Sequence, residues 1–220
     1  MSKVGTTKGV YLTGRDLAGM AAVGTHLFVI IVTGDKKPRT VPYIDPNTKP
    51  LSYKKAHVLK PQDLGDGTYG FVAGAQNKNS RLMLEYFETS DYQATREHYN
   101  WGKYGGYLAD FDTEIHQVKT NKTVDLLIRL VFDCLCAYID NETAEPIPYP
   151  SAGWGLNSNS WAQSVVQYAG GTAPGDFSGV DLSGGKRIPK AYFTPHFFGK
   201  RLPLLNGKTV SNLALAGTPA

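Results

Sequence analysis

The segment Asn157-Ser158-Asn159-Ser160-Trp161 sets a small hydroxyl nucleophile at the start of a helical stretch. The amide groups and dipole of a helix's first turn stabilise negative charge, on a nucleophile or on a neighbouring oxyanion. Ser158 stands where that chemistry requires, and backbone amides near it would hold the oxyanion. Asn and Ser are also preferred N-cap residues, so capping alone accounts for the same segment. A serine nucleophile needs a base, and His26 opens the apolar run Thr25 to Val32, where it could reach a helix N-terminus packed beside a sheet. The imidazole in turn needs a group to orient it. A hairpin turning at Gly34 to Lys37 pairs Thr33 with Pro38 and, counting outward, sets Asp45 opposite His26 on one sheet face. Asp45 before Pro46 is also turn chemistry, and Gln76, at the end of the next strand, is the alternative orienting group.

Other reactive side chains offer less. His57, His98, His116 and His196 form no His-x-x-x-His pair, and the two cysteines form no Cys-x-x-Cys, so neither a metal site nor a cofactor is expected. Cys134 and Cys136 lie two apart in an apolar run and point to different sides of a helix, which reads them as buried thiols rather than a disulfide.

These residues must be held by recognisable elements. Thr25 to Val32 is rich in β-branched residues and ends in turn chemistry, and its near-continuous apolar character implies a central strand covered on both faces. Arg39 to Ile44 is its expected hairpin partner. Asp45 to Gly67, with three prolines, reads mostly as loop. Tyr69 to Ala75 is a second strand whose glycines suggest bends or close backbone approach. Arg81 to Phe87 fits a strand or a short helix, and the aromatic stretch Asp91 to Gly106 a surface element or loop near a groove. Thr123 to Asp140 carries Val124, Leu127, Ile128, Val131, Phe132, Leu135 and Tyr138 at three- and four-residue spacing, the pattern of a core helix. Three prolines, Pro146, Pro148 and Pro150, stiffen the connector to a second helix, from about Ser158 to Ala169, which Gly170-Gly171 stops. From about residue 171 glycine and proline dominate, and the tail should wrap the domain irregularly.

A chain of 220 residues fits one domain, 1–220, of α+β class with a central antiparallel sheet packed against helices. The net charge of +4 is modest and its Lys and Arg are scattered, so no nucleic-acid partner is expected. The first residues lack the apolar core of a signal peptide, and no run approaches the roughly 18 apolar residues of a membrane span. The reading is a chain made in the cytoplasm which, if it acts outside the cell, leaves by a route that reads no N-terminal signal.

The order of a histidine opening an early strand, then sheet, a long helix and a late nucleophile at a helix start resembles the circularly permuted papain-like hydrolases. These comprise the permuted branch of the NlpC-type cell-wall peptidases and the lecithin:retinol acyltransferase group. Asn157-Ser158-Asn159-Ser160-Trp161 looks like that family's Asn-Cys-x-x-aromatic segment, with Ser158 in the cysteine's place and Trp161 in the aromatic's. Ala169-Gly170 followed by Pro174-Gly175 is similar to signal-less effector hydrolases of this branch delivered by type VI secretion systems. The likeness runs from about Thr25 to Gly175. It implies a permuted papain-like fold and an exported antibacterial effector that cleaves a peptide or amide bond in peptidoglycan in the target cell's periplasm. Ser158 would attack, His26 shuttle the proton and Asp45 orient it. An immunity protein and a secretion-apparatus carrier would be its partners. Serine for cysteine is the departure: a hydroxyl depends on a well-placed base rather than on standing thiolate, so the site either hydrolyses by a serine mechanism or belongs to an inactive relative. The same fold also supports a lipid esterase or acyltransferase, and capping alone supports a non-catalytic binding module.

Overall fold

The run of β-branched and aromatic residues at Thr25–Val32 forms strand β2, buried from His26 onward. A strand apolar on both faces must have both faces covered and both edges paired. In the computed structural model, which describes residues 5–17, 24–43, 55–100, 103, 109–150, 153–172 and 177–195, its neighbours are β1 (Gly9–Asp16) and β6 (Thr68–Lys78). The sheet continues as β5 (Gln62–Gly65), β6, β2, β1 and β8 (Thr113–Gln117), with β7 (Arg81–Tyr86) on the far half of β6. Every pairing in it is antiparallel.

The expected hairpin from β2 into Arg39 to Ile44 is not formed. Arg39–Tyr43 is strand β3, and it pairs instead with β4 (Lys55–Leu59) in a separate two-stranded sheet. Pro42 has no N–H to give to a ladder, which suits an edge pairing and not the side of a fully buried strand. β1 supplies Val10, Tyr11 and Leu12, all buried, at the edge where β3 was expected to compete. The stretch read as loop between Asp45 and Gly67 therefore contains β4 and β5. Arg81 to Phe87 resolves as strand, and the aromatic stretch after it begins as a helix.

Side-chain alternation sorts the sheet into two faces. Leu27, Val29 and Ile31 of β2 point to one face with Phe71, Ala73 and Ala75 of β6. They pack under helix α2 (Val124–Ala144) and helix α3 (Ser158–Tyr168), which contribute Leu127, Val131, Leu135, Tyr138, Trp161 and Val165. Phe28 and Ile30 point to the other face with Tyr11, Val72 and Tyr99, the last from helix α1 (Thr89–Tyr99). At about 1.5–3 kcal/mol for each large apolar side chain fully removed from water, this double burial fixes β2 as the axis of the domain. The glycines of β6 have specific reasons. A Cβ on Gly70 would lie 2.4 Å from the Ile31 carbonyl oxygen, so only glycine lets β6 approach β2 this closely. Neither Cys134 nor Cys136, both on α2, is in a disulfide; Cys134 is buried and Cys136 half-buried, and burial, with Asp133 beside it, pushes the Cys134 thiol up to about 12. Beyond α3 the described tail holds strand β10 (Gly171–Thr172), paired with β9 (Lys119–Thr120), and a 3-10 turn at Lys190–Phe193. Pro174-Gly175 and everything past residue 195 lie outside the described residues. Among the described residues no helix is long and apolar enough to cross a membrane.

Candidate active site

His26 is the first buried residue of β2, and its register partner on β1 is Arg15. Both project toward the α1 face, where Asp91 meets them. His26 Nε2 lies 3.2 Å from the Asp91 carboxylate, and Arg15 Nε donates to Asp91 Oδ1 at 2.8 Å. Gln76, two residues along β6 from Gly74, donates from its side-chain amide to Asp91 Oδ2 at 2.8 Å and sits 3.1 Å from His26 Nε2. The Asp91 side chain is wholly buried. Burial alone would raise its carboxyl, but the imidazole and the Arg15 guanidinium outweigh that and hold it below the ordinary carboxylate value. In the tautomer whose Nε2 proton points at this carboxylate, Nδ1 is the nitrogen left with a lone pair to accept a proton.

The chain goes to some length to deliver Asp91. Phe87, between β7 and α1, has φ of 53°, a left-handed conformation that costs a bulky residue about 1–3 kcal/mol. That turn lets the Glu88 carboxylate cap α1 by accepting from the amides of Ser90 and Asp91 at 2.8 and 3.0 Å. Gly74 makes the room: a Cβ there would lie 2.5 Å from Asp91 Oδ2. Of the two orienting groups expected from sequence, Gln76 touches His26, while Asp45 lies outside the described residues. The geometric premise for Asp45 is gone in any case, because the hairpin that would have set it opposite His26 does not form. Asp91 was missed. Its sequence marker was the Glu88-Thr89-Ser90-Asp91 cluster, a helix-start signature leading into the stretch from Asp91 read as a surface element or loop.

Ser158 comes from the other layer. It opens α3, whose N-cap Asn157 accepts from the amides of Asn159 and Ser160 at 2.9 and 3.1 Å, with Ser160 Oγ returning the bond to the Asn157 amide. Those two amides are therefore committed to capping, which narrows the first-turn oxyanion donors to the Ser158 amide. Asn159 ties the helix start to the sheet: its Oδ1 accepts from the Leu27 amide at 2.9 Å, and its Nδ2 donates to Asp181 at 3.1 Å. Asp181 also accepts from the Ser183 amide and from Gln163, and although burial would raise it, these bonds hold its carboxyl low. Trp161 is fully buried, edge-on to Tyr138. Ser158 is the member of the segment with least to do for the fold. Its Oγ makes a long 3.4 Å bond to Asn159 Oδ1 and lies against the Tyr149 hydroxyl.

His26 and Ser158 both line a cavity of about 430 Å³, together with Thr25, Asn77, Tyr149 and Leu182. Among the described residues no hydrogen bond joins them directly. Neither is there, among these residues, any group of three His, Cys, Asp or Glu side chains arranged to hold a metal ion. No family model, curated protein or solved structure matches the chain.

Proposed function

We propose that the protein is a serine hydrolase of permuted papain-like type, cleaving a peptide or amide bond of bacterial peptidoglycan as an exported antibacterial effector. The observation that carries the proposal is that His26, its Nε2 anchored on the buried Asp91, and Ser158, at the N-terminus of α3, line one cavity. Asp91 takes the orienting role that the sequence offered to Asp45 or Gln76, and Gln76 supports it by donating to the same carboxylate.

In this reading Ser158 Oγ bonds to the carbonyl carbon of the substrate and its proton passes to His26 Nδ1. The Ser158 amide faces the developing oxyanion. As the carbon–nitrogen bond breaks, the imidazolium returns that proton to the leaving amine, and Asp91 stabilises the transient positive ring. Water then adds to the acyl-enzyme with His26 as base, releasing the acid and restoring the serine. Catalytic hydrogen bonds often tighten only once substrate is bound, so Ser158 would turn from Asn159 toward His26 as the carbonyl enters. An immunity protein would act by covering this cavity.

A second reading has a specific observation in its favour. The Ser158 hydroxyl bonds Asn159 and lies against Tyr149 rather than bonding His26, as expected of a binding module in which it serves the helix start. Purified sacculi separate the two. Wild-type protein should release soluble muropeptides, and Ser158→Ala and His26→Ala, folded as judged by circular dichroism, should release none. Free fatty acid from phospholipid vesicles would instead indicate a lipid esterase. Release of neither product, with no toxicity in a bacterial periplasm, would overturn the enzyme reading.

A further inference from the structure

Trp154 is the most exposed large apolar side chain among the described residues, at 63%, and Gly153, the residue before it, lines the cavity shared by Ser158 and His26. A single exposed apolar residue needs no explanation by itself. Here the backbone on both sides of the indole is pinned. The Gly153 amide donates to the Pro150 carbonyl at 3.1 Å and its carbonyl accepts from Asn157 Nδ2 at 2.8 Å. Beyond the tryptophan, the Gly155 amide donates to the Leu182 carbonyl and its carbonyl accepts from Ser160 Oγ, both at 3.1 Å. Gly153 and Gly155 have φ of 77° and 118°, conformations that L side chains rarely adopt, so the Gly-Trp-Gly turn is shaped to carry this residue outward. Two of its anchors, Asn157 and Ser160, are the capping pair that also sets Ser158. The platform and the nucleophile are thus held by one hydrogen-bond network, with the conformational cost of presenting the indole already met before any ligand arrives.

We propose that Trp154 is a stacking platform for a pyranose ring, binding the glycan of the polymer next to the bond that Ser158 attacks; naming that polymer rests on the hydrolase reading, whereas sugar binding does not. An indole face is electron-rich and attracts the partly positive C–H hydrogens on one face of a sugar ring. The cavity wall suits the sugar's other groups: Thr25, Asn77, Ser80 and Tyr149 offer neutral hydroxyls and an amide. Leu17 and Leu182 are its larger apolar residues, too few for an acyl chain, which needs continuous apolar area. A membrane interface would call for an amphipathic apolar stripe. The other exposed large hydrophobics, Val58, Val124 and Val180, lie on separate segments.

The test is binding of an uncleaved N-acetylglucosamine tetramer, followed by tryptophan fluorescence and calorimetry, for the wild type, Trp154→Ala and Trp154→Phe. The wild type should bind with a change in indole emission. Trp154→Ala should weaken binding roughly five- to tenfold and Trp154→Phe by less, in keeping with the energy of one aromatic contact. Equal affinity in wild type and Trp154→Ala, or no binding by the wild type, would overturn the platform. So would a Trp154-dependent shift onto phosphatidylethanolamine/phosphatidylglycerol vesicles without sugar binding. Trp154-dependent sugar binding without sacculus cleavage would overturn the hydrolase reading and leave the platform standing. Sacculus cleavage undiminished in Trp154→Ala would do the reverse.

Discussion

The sheet is joined to α1 and to α2 by one arginine–carboxylate pair each, and the two pairs behave in opposite ways. On the α1 face, Arg15 and Asp91 are joined at 2.8 Å, and the carboxyl is held below its ordinary value. At α2, Arg81 and Glu142 are also joined at 2.8 Å, yet burial raises the Glu142 carboxyl from 4.5 to about 7 despite the arginine. The difference lies in the other partners. Asp91 collects Arg15, the Gln76 amide and the His26 imidazole, whereas Glu142 has the Arg81 guanidinium alone against its desolvation. An ion pair by itself does not keep a buried carboxylate charged; a full set of donors does. A carboxylate ionised at neutral pH behind an imidazole is what a proton-shuttling histidine needs, and Glu142, which titrates near neutrality, serves as a structural joint.

Breaking the first site should cost most. Asp91→Ala leaves Arg15 buried without its partner and should destabilise the fold by about 3–5 kcal/mol, measured by urea unfolding at pH 7. Because the folded value of Asp91 is depressed, its contribution is present above about pH 4, the ordinary carboxylate range, and is lost as pH falls through the folded value. The acid limb of a stability profile should therefore flatten in Asp91→Asn.

The second site has the opposite sign. The rise of Glu142 from 4.5 to about 7 means that its contribution is complete below about pH 4.5 and is lost as pH climbs through 7, roughly 3 kcal/mol in all. Glu142→Gln should level the stability profile between pH 5 and 8. A profile unchanged by that substitution would remove the contrast between the two pairs.

Asn159→Ala should cost about 1–3 kcal/mol, since it leaves the buried Leu27 amide without an acceptor and frees α3 from β2. Ser158→Ala should have the smallest effect on thermal unfolding, about 0.5–1.5 kcal/mol, because it removes one long hydrogen bond and the contact with Tyr149. If Ser158→Ala proved as damaging as Asn159→Ala, Ser158 would be a structural residue and the nucleophile assignment would lose its footing.

How much of this was legible in the sequence follows from which interactions are local. The apolar run of β2 announced a central strand, the periodicity of α2 a core helix, and Asn157 to Trp161 a helix start, because burial and capping leave their marks within a few residues. Strand pairing leaves no such mark. The turn at Gly34 to Lys37 suggested a hairpin, but β1 and β3 flank β2 at similar separations along the chain, so proximity could not choose between them, and Pro42 is unable to serve. Asp91 was hidden for the same reason. It reaches His26 only because Phe87 adopts a left-handed turn and Gly74, on another strand, has no side chain. The glycines of β6 had hinted at close approach; what would approach could be read only in three dimensions.

The pairing of His26 with Ser158 is tested most directly by covalent labelling. Wild-type protein, His26→Ala and Ser158→Ala are incubated with a fluorophosphonate and analysed by intact mass and peptide mapping. A single adduct on Ser158 in the wild type, strongly reduced in His26→Ala and missing from Ser158→Ala, is the predicted result. No adduct in the wild type, or an adduct on Ser158 whose rate is indifferent to His26, would contradict it.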